Sequence, residues 1–206
     1  MNLSTLSPTQ LDTLKEVSNV GMGHAATALS RMLKAKVGLR VPRIAMIDIG
    51  DIAELVGGPE AEVAGIRLAM NGPTPGTLLL VFPGDSARAL LERLLGGRAA
   101  EPLDEMGVSA LKEVGNILAS AYLVALGGLL GLPLLPSVPQ LAWDMAGAVL
   151  DQILGELGET GRALLVETEF HGEASLPEVI RGHFLILPDP ATLEAILAGA
   201  GGGRPV

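Results

Sequence analysis

The sequence predicts an α/β (α+β) fold built by internal duplication, with helices covering at least one face of a sheet. An octet at 12–19, "DTLKEVSN", returns at 109–116 as "SALKEVGN", each time at the front of a long apolar segment. The order helix, strand, short helix, two strands, helix is predicted for both copies. Because no polar linker separates the copies, we expect a single domain of two repeats, about 7–97 and 102–201, with a disordered tail over 202–206.

The first repeat opens with Ser7-Pro8, a capping residue followed by a proline suited to the first helical position. Apolar residues at a helical period extend this helix to about 34. Pro42 interrupts the next apolar segment, so we expect a broken strand there. The remaining elements are a helical turn ("DIAELVGG"), two strands joined by a turn ("AEVAGIRLAM" and "GTLLLVF") and a helix capped by Asp85 or Ser86 ("GDSARALLERLLGG").

The second repeat predicts the same order of elements. A long helix over about 103–130 precedes the extended, proline-broken segment "LPLLPSVPQLA". The pattern of "WDMAGAVLDQILGEL" is mostly helical, but its glycines and β-branched residues leave a strand open at its start. Two strands ("GRALLVETEF" and "VIRGHFLIL") and a closing helix ("PDPATLEAILAGA") complete the repeat. Strands joined by short turns must pair antiparallel.

The composition narrows the classes of function. A net charge of −9 and a pI of about 4.8 disfavour nucleic-acid binding and adhesion to anionic lipid, since both need clustered cations. The chain has no cysteine, which excludes disulfides and thiolate catalysis and suits a reducing compartment. The N-terminus shows no signal-peptide pattern, so we expect a cytoplasmic protein.

One uncharged segment, 114–143, raises the rival hypothesis of a membrane-associated protein, because it is long enough to cross a bilayer. Asn116, the Gly127-Gly128 pair and three prolines within it favour a buried helix followed by a loop and a strand. We therefore expect no membrane span.

The octets place polar side chains on one helix face. At 100° per residue, Asp12, Glu16 and Asn19 fall within about 60° of one another, and the apolar residues lie opposite. In the second octet Ser109, Glu113 and Asn116 repeat this geometry. The expected core residues are Leu14, Val17, Ala25, Ala28, Leu29 and Met32 in the first helix, and Leu111, Val114, Leu118, Tyr122, Ala125 and Leu129 in the second.

The polar faces continue into small residues, which suggests that a partner lies on the helices. Small side chains at Gly23, Ser30, Ser120 and Gly127 would let another backbone approach closely. The alternative is an ordinary solvated helix face, with Asp12 favouring the helix start electrostatically. Asparagine is a poor residue for a helix interior, and its recurrence at the same phase in both copies favours a functional role.

The full pattern is Asp/Ser-x3-Glu-x2-Asn-x22-Pro, and it occurs twice: Asp12, Glu16, Asn19 and Pro42, then Ser109, Glu113, Asn116 and Pro139. It resembles the signature of the CheC family of chemotaxis phosphatases, which has CheX and FliY as relatives. The flanking sequences also look like the family, and the resemblance covers residues 7–200. Two signatures in a short chain favour the CheC type.

The resemblance implies a pseudo-two-fold unit with the two signature helices side by side on a six-stranded sheet. It implies a phosphatase that acts on the aspartyl phosphate of the response regulator CheY. It also implies CheD as a second partner. We expect the chain to bind no cofactor or metal of its own, because the Mg²⁺ belongs to the response regulator.

An acyl phosphate is already reactive, so such an enzyme needs no nucleophile of its own. A side-chain amide both donates and accepts hydrogen bonds, which suits Asn19 and Asn116 to holding the attacking water. We expect Glu16 and Glu113 to pair with the regulator's lysine and fix the docking register. Supporting roles fall to Asp12 and Ser109, as helix-start or secondary contacts, and to Pro42 and Pro139, as structural residues.

Other interpretations are weaker or remain open. "GMGHAA" at 21–26 fits a dinucleotide fingerprint, but the glycines lie inside a helix pattern instead of at its start. His24 has no counterpart in the second copy, and a surface or docking role is favoured for it. The main alternative function is a non-catalytic adaptor that binds a response regulator or CheD.

Overall fold

A computed structural model describes residues 6–34, 36–97, 103–157, 162–172 and 180–202. The predicted tail lies mostly outside these residues, with Gly202 in a turn and 203–206 not described. The helices are α1 (Pro8–Leu33), α2 (Ile52–Leu55, after a 3-10 turn at Ile49–Asp51), α3 (Gly84–Leu95), α4 (Glu105–Leu130), α5 (Ala146–Leu157) and α6 (Pro190–Ala200). The strands are β1 (Val37–Arg40), β2 (Ile44–Asp48), β3 (Glu62–Asn71), β4 (Gly76–Pro83), β5 (Leu135–Pro136), β6 (Gln140–Met145), β7 (Arg162–Gly172) and β8 (Ile180–Pro188).

The two repeats interleave in one antiparallel sheet. Its order is β1-β7-β8-β4-β3-β5, with β2 also paired to β7 and β6 also paired to β3. Strands β1 and β2 from the first repeat therefore border β7 from the second repeat. In the same way, β5 and β6 from the second repeat border β3 from the first. The repeats meet in the centre, where β4 pairs with β8.

Within the described ranges, the sheet has eight strands in six positions, because each edge position is shared by two short strands. Pro42 lies between β1 and β2, and Pro139 lies between β5 and β6. Proline lacks the N–H needed for a ladder bond and is tolerated at sheet edges, which explains why both edges are split. This confirms the proline-broken strands predicted for each repeat.

Helices cover both faces of the sheet. The larger core lies between the sheet and α1, α3, α4 and α6, and it includes Leu14, Tyr122 and Phe184. A smaller core lies on the other face under α2 and α5, around Val149 and Leu165. Alternate residues of the central strands face the two cores, as their two-residue period requires.

Among the described residues, side chains cap the starts of α1, α4 and α6, whereas α2 and α3 begin without a side-chain cap. Ser7 and Gln10 form the reciprocal hydrogen bonds of a capping box at α1, with Pro8 in the first turn. Asp104 caps α4 by accepting from the N–H of Gly107 at 2.8 Å. The predicted cap of α3 by Asp85 or Ser86 is wrong, since β4 runs directly into the helix through Pro83.

The strand left open at the start of "WDMAGAVLDQILGEL" is present. Trp143 to Met145 complete β6, and the helix α5 begins at Ala146. The strand pairs with β3 from Arg67 back to Glu62. Edge pairing therefore outweighs the helical pattern for these three residues.

Candidate functional site

The first octet presents its polar side chains to solvent. Asp12, Glu16 and Asn19 are all exposed on α1, while Leu14 and Ala25 are completely buried. Met32 was expected in the core but is 37% exposed, so the fully buried stripe ends at Leu29. The predicted orientation of this octet therefore holds.

The second octet has the same orientation on α4. Ser109 and Glu113 are exposed and Asn116 is partly exposed, whereas Leu111, Val114 and Tyr122 are completely buried. Asp12 and Ser109 each occupy the fifth position of their helix, counted from Pro8 and Glu105. Because the helix dipole acts mainly within the first turn, a helix-start role does not account for them.

The two signature helices pack directly against each other. A β-carbon added at Gly21 would lie 3.1 Å from the Tyr122 Cα and 3.3 Å from the Ala121 carbonyl oxygen. This backbone-to-backbone approach needs a residue without a side chain. It holds the two octets on one helical layer, as the resemblance implies.

Two hydroxyl groups are buried where α1 meets α4. Ser18 and Tyr122 are completely buried, and neither hydroxyl has a hydrogen-bond partner of good geometry among the described residues. Burial raises the pKa of Tyr122 to about 12, and the nearby Ser18 hydroxyl opposes part of that shift. The Tyr122 ring packs on Phe184 with 4.8 Å between centroids.

A cleft of about 710 Å³ lies beside the second octet. Ser109, Glu113 and Asn116 form part of one wall, and the segment 136–139 forms the other. That segment is fixed to β3, since Ser137 donates its N–H to the Ala69 carbonyl at 2.9 Å and accepts the Ala69 N–H on its Oγ at 2.8 Å. The structure thus brings the second-copy residues Ser109, Glu113, Asn116 and Pro139 together in one cleft.

The first signature is arranged differently. Pro42 lines another cleft, of about 500 Å³, together with Glu167, Arg181 and His183. Burial lowers the pKa of His183 there, with Glu167 acting in the opposite direction. The first-copy residues Asp12, Glu16 and Asn19 line neither of these two clefts. Of these two clefts, Pro139 shares one with its own octet, whereas Pro42 shares the other with residues of β7 and β8.

Two of the four small residues on the polar faces have internal roles, which corrects their interpretation as partner contacts. The Ser30 Oγ accepts the N–H of Val37 at 2.9 Å and so ties α1 to β1. A β-carbon on Gly127 would lie 2.5 Å from the Leu132 carbonyl oxygen, so this glycine makes room for the chain's own loop. Gly23, by contrast, is exposed with no atom within 4 Å of an added β-carbon.

The polar side chains of both octets are available for an external partner. Across the described part of the chain, no hydrogen bond or ion pair involves the side chains of Glu16, Asn19, Glu113 or Asn116. His24 is exposed on the same helix as Asn19. Exposed carboxylates and amides without internal partners are what a docking surface requires.

Sequence reasoning missed Lys112, which lines the cleft between Ser109 and Glu113. The available signal was the repeat itself, because lysine precedes glutamate in both octets, at Lys15 and Lys112. No group of three or more potential metal ligands occurs among the described residues.

The uncharged segment 114–143 is not one continuous span. It comprises most of α4, a loop, β5 and part of β6. By length and composition α4 itself could cross a membrane, but half of its most apolar window is buried inside the fold. A buried core helix meets the same criteria, so this is weak evidence for a span.

The chain is similar in sequence to known proteins. Residues 10–46 match the model of the CheC-like family. The chain is 36% identical to the "CheY-P phosphatase CheC" of Bacillus subtilis over 93% of this chain and 94% of that protein. It is 32% identical to the flagellar motor switch phosphatase FliY of Bacillus subtilis over 54% of this chain and 29% of that protein.

A solved structure shares the fold. The crystal structure of Thermotoga maritima FliY matches with a TM-score of 0.77 and 21% identity, covering 97% of this chain and 99% of that one. This agreement confirms the predicted fold class.

Proposed function

The chain belongs to the CheC-like family, and on that basis we propose that it hydrolyses the aspartyl phosphate of a phosphorylated CheY-type response regulator. The observation that carries the proposal is the pair of outward-facing octets, whose Glu and Asn side chains have no partner among the described residues. The Bacillus subtilis relative, which matches over nearly the whole length of both proteins, is named for the same reaction.

The proposed reaction needs only a positioned water. Its oxygen forms a bond to phosphorus as the bond from phosphorus to the aspartyl oxygen breaks. The electron pair of the broken bond leaves with the aspartate carboxylate, and the two water hydrogens remain on the released dihydrogen phosphate. In this scheme Asn19 or Asn116 holds the water through its amide, in line with the leaving oxygen.

The carboxylates fix the regulator in register. Glu16 lies three residues before Asn19, and Glu113 three before Asn116, so each pair shares one helix face. We assign to each glutamate an ion pair with the lysine beside the regulator's phosphoaspartate. The Mg²⁺ in this complex belongs to the regulator, and the chain supplies no cofactor.

The second site is the better-formed docking surface in this proposal. Its cleft receives the regulator between α4 and the segment 136–139. Val138 on that segment is 83% exposed and offers an apolar contact. Pro139 maintains this wall, whereas Pro42 lies at the equivalent break in the other edge of the sheet.

CheD is proposed as a second partner, and the cytoplasm as the compartment, since response regulators act there. The adaptor alternative uses the same helix faces to bind the regulator without hydrolysing its phosphate. Catalysis is favoured because docking alone does not require an amide at the same phase in both octets.

The test measures phosphate release from phosphorylated regulator with wild type, Asn19→Ala, Asn116→Ala and the double variant. We expect the double variant to lose roughly 100-fold or more of its rate, since positioning supplies factors of that size. Gln152→Ala is the matched control, because it removes an exposed amide from α5 on the other face of the sheet. Full activity in the double variant would refute the proposal, and binding without any acceleration by wild type would establish the adaptor.

A further inference from the structure

Both octets contain a lysine that the proposed reaction has not yet used. Lys15 and Lys112 stand four residues before Asn19 and Asn116, respectively. Residues four apart on a helix are neighbours, with about 5–6 Å between their β-carbons. The lysine side chain is also much longer than asparagine, so its ammonium group can reach beyond the amide that holds the water.

These lysines are unpaired despite the acidic surroundings. Neither Lys15 nor Lys112 has a hydrogen bond or ion pair with any residue in the described ranges. The chain has a net charge of −9, and Glu16 and Glu113 follow the lysines directly. A positive charge left free in this setting is available to an external anion.

The cleft beside the second octet would need a positive charge to bind a phosphoryl group. Glu105 and Glu113 line it with negative charge, and among its described lining residues Lys112 supplies the positive charge. A phosphoryl dianion that enters would be repelled by both carboxylates. Lys112, next to Asn116, is the residue placed to offset that repulsion.

We propose that Lys112, and Lys15 in the first copy, binds the non-bridging oxygens of the aspartyl phosphate while the water attacks. The inference rests on the proposed function and adds a catalytic residue to each site. If Glu113 pairs with the regulator's own lysine, that lysine moves away from the phosphoryl group. Lys112 then replaces the lost cation, so the exchange keeps the phosphoryl charge balanced as the carboxylate leaves.

The experiment isolates one site at a time. In an Asn19→Ala background, which leaves the second site, Lys112→Met is compared with Lys112→Arg. In an Asn116→Ala background, Lys15→Met is compared with Lys15→Arg. The measured quantities are kcat and KM for phosphate release from phosphorylated regulator, with Lys36→Met as the control for loss of one exposed lysine outside α1 and α4.

We expect Lys112→Met to lower kcat roughly tenfold or more, the usual size for a lost hydrogen bond to a charged group. Lys112→Arg keeps most of the activity because the charge is retained, and Lys36→Met leaves kcat and KM unchanged. The same order is expected for the Lys15 variants.

Other outcomes overturn the inference. An unchanged kcat in Lys112→Met, or a change in KM alone, would make Lys112 a bystander or a docking residue. Far-ultraviolet circular dichroism checks folding, and Lys112→Gln replaces Lys112→Met if the latter does not fold. Failure of the proposed function is a separate result, because it would leave the Asn19→Ala, Asn116→Ala double variant as active as wild type.

Discussion

Tyr122 links the α1–α4 interface to alkaline stability, and the link can be measured. The Tyr122 hydroxyl is completely buried between the signature helices. It makes no hydrogen bond of good geometry with any described residue. Burial penalises the tyrosinate, so the pKa of Tyr122 rises from 10.0 to about 12. The neutral side chain is therefore the form that the folded protein accepts.

The sign and size of the effect follow from linkage. Below pH 10 the tyrosine is protonated in both the folded and the unfolded chain, and the free energy of unfolding is unaffected. Between pH 10 and pH 12 the unfolded chain releases the proton and the folded chain keeps it. At about 1.4 kcal/mol per pH unit, this costs about 3 kcal/mol of stability over the window.

The assay uses the fact that the chain has one tyrosine and one tryptophan. Urea unfolding followed by Trp143 fluorescence is measured from pH 9 to pH 12 for wild type and Tyr122→Phe, and tyrosinate absorbance reports the ionisation of Tyr122 directly. We expect wild type to lose about 3 kcal/mol more than Tyr122→Phe across the window. Parallel losses, or ionisation of the folded protein near pH 10, would refute the reasoning.

The remaining predictions concern local packing and capping, and urea unfolding at neutral pH tests them. Gly127→Ala should cost about 1–3 kcal/mol, because its β-carbon would overlap the Leu132 carbonyl oxygen. Its matched control, Gly23→Ala, should stabilise by up to about 1 kcal/mol, since it adds a helix former where space is open; equal effects of the two substitutions would contradict this. Asp104→Ala should cost about 1 kcal/mol through the lost bond to Gly107, and an unchanged midpoint would show that the cap is redundant.

Periodicity and turn chemistry predicted most elements of the fold. Ser7-Pro8 located the start of α1, and the prolines at 42 and 139 located the breaks in both edge strands. Such signals are local, so one sequence is enough to interpret them. The α3 cap was predicted wrongly because the direct junction of β4 with α3 depends on the sheet beneath it.

The same limit applies to the site. The octets predicted which side chains face outward, and Glu16, Asn19 and Glu113 are exposed as expected. The sequence could not reveal that Gly127 accommodates the loop at Leu132, because that contact depends on where the chain turns after α4. A sequence pattern of small residues does not distinguish packing against a partner protein from packing against the chain's own backbone.

By itself, the sequence determined the phase of each polar face, since the 3.6-residue helical period fixes which side chains share a side. Tertiary structure alone decided that the repeats exchange edge strands and that Asn116 lies in a walled cleft while Asn19 lines neither of the two clefts described. The physical reason is that a cleft is formed by segments distant in the chain. The wall at 136–139 exists because Ser137 bonds to Ala69 on a strand of the other repeat.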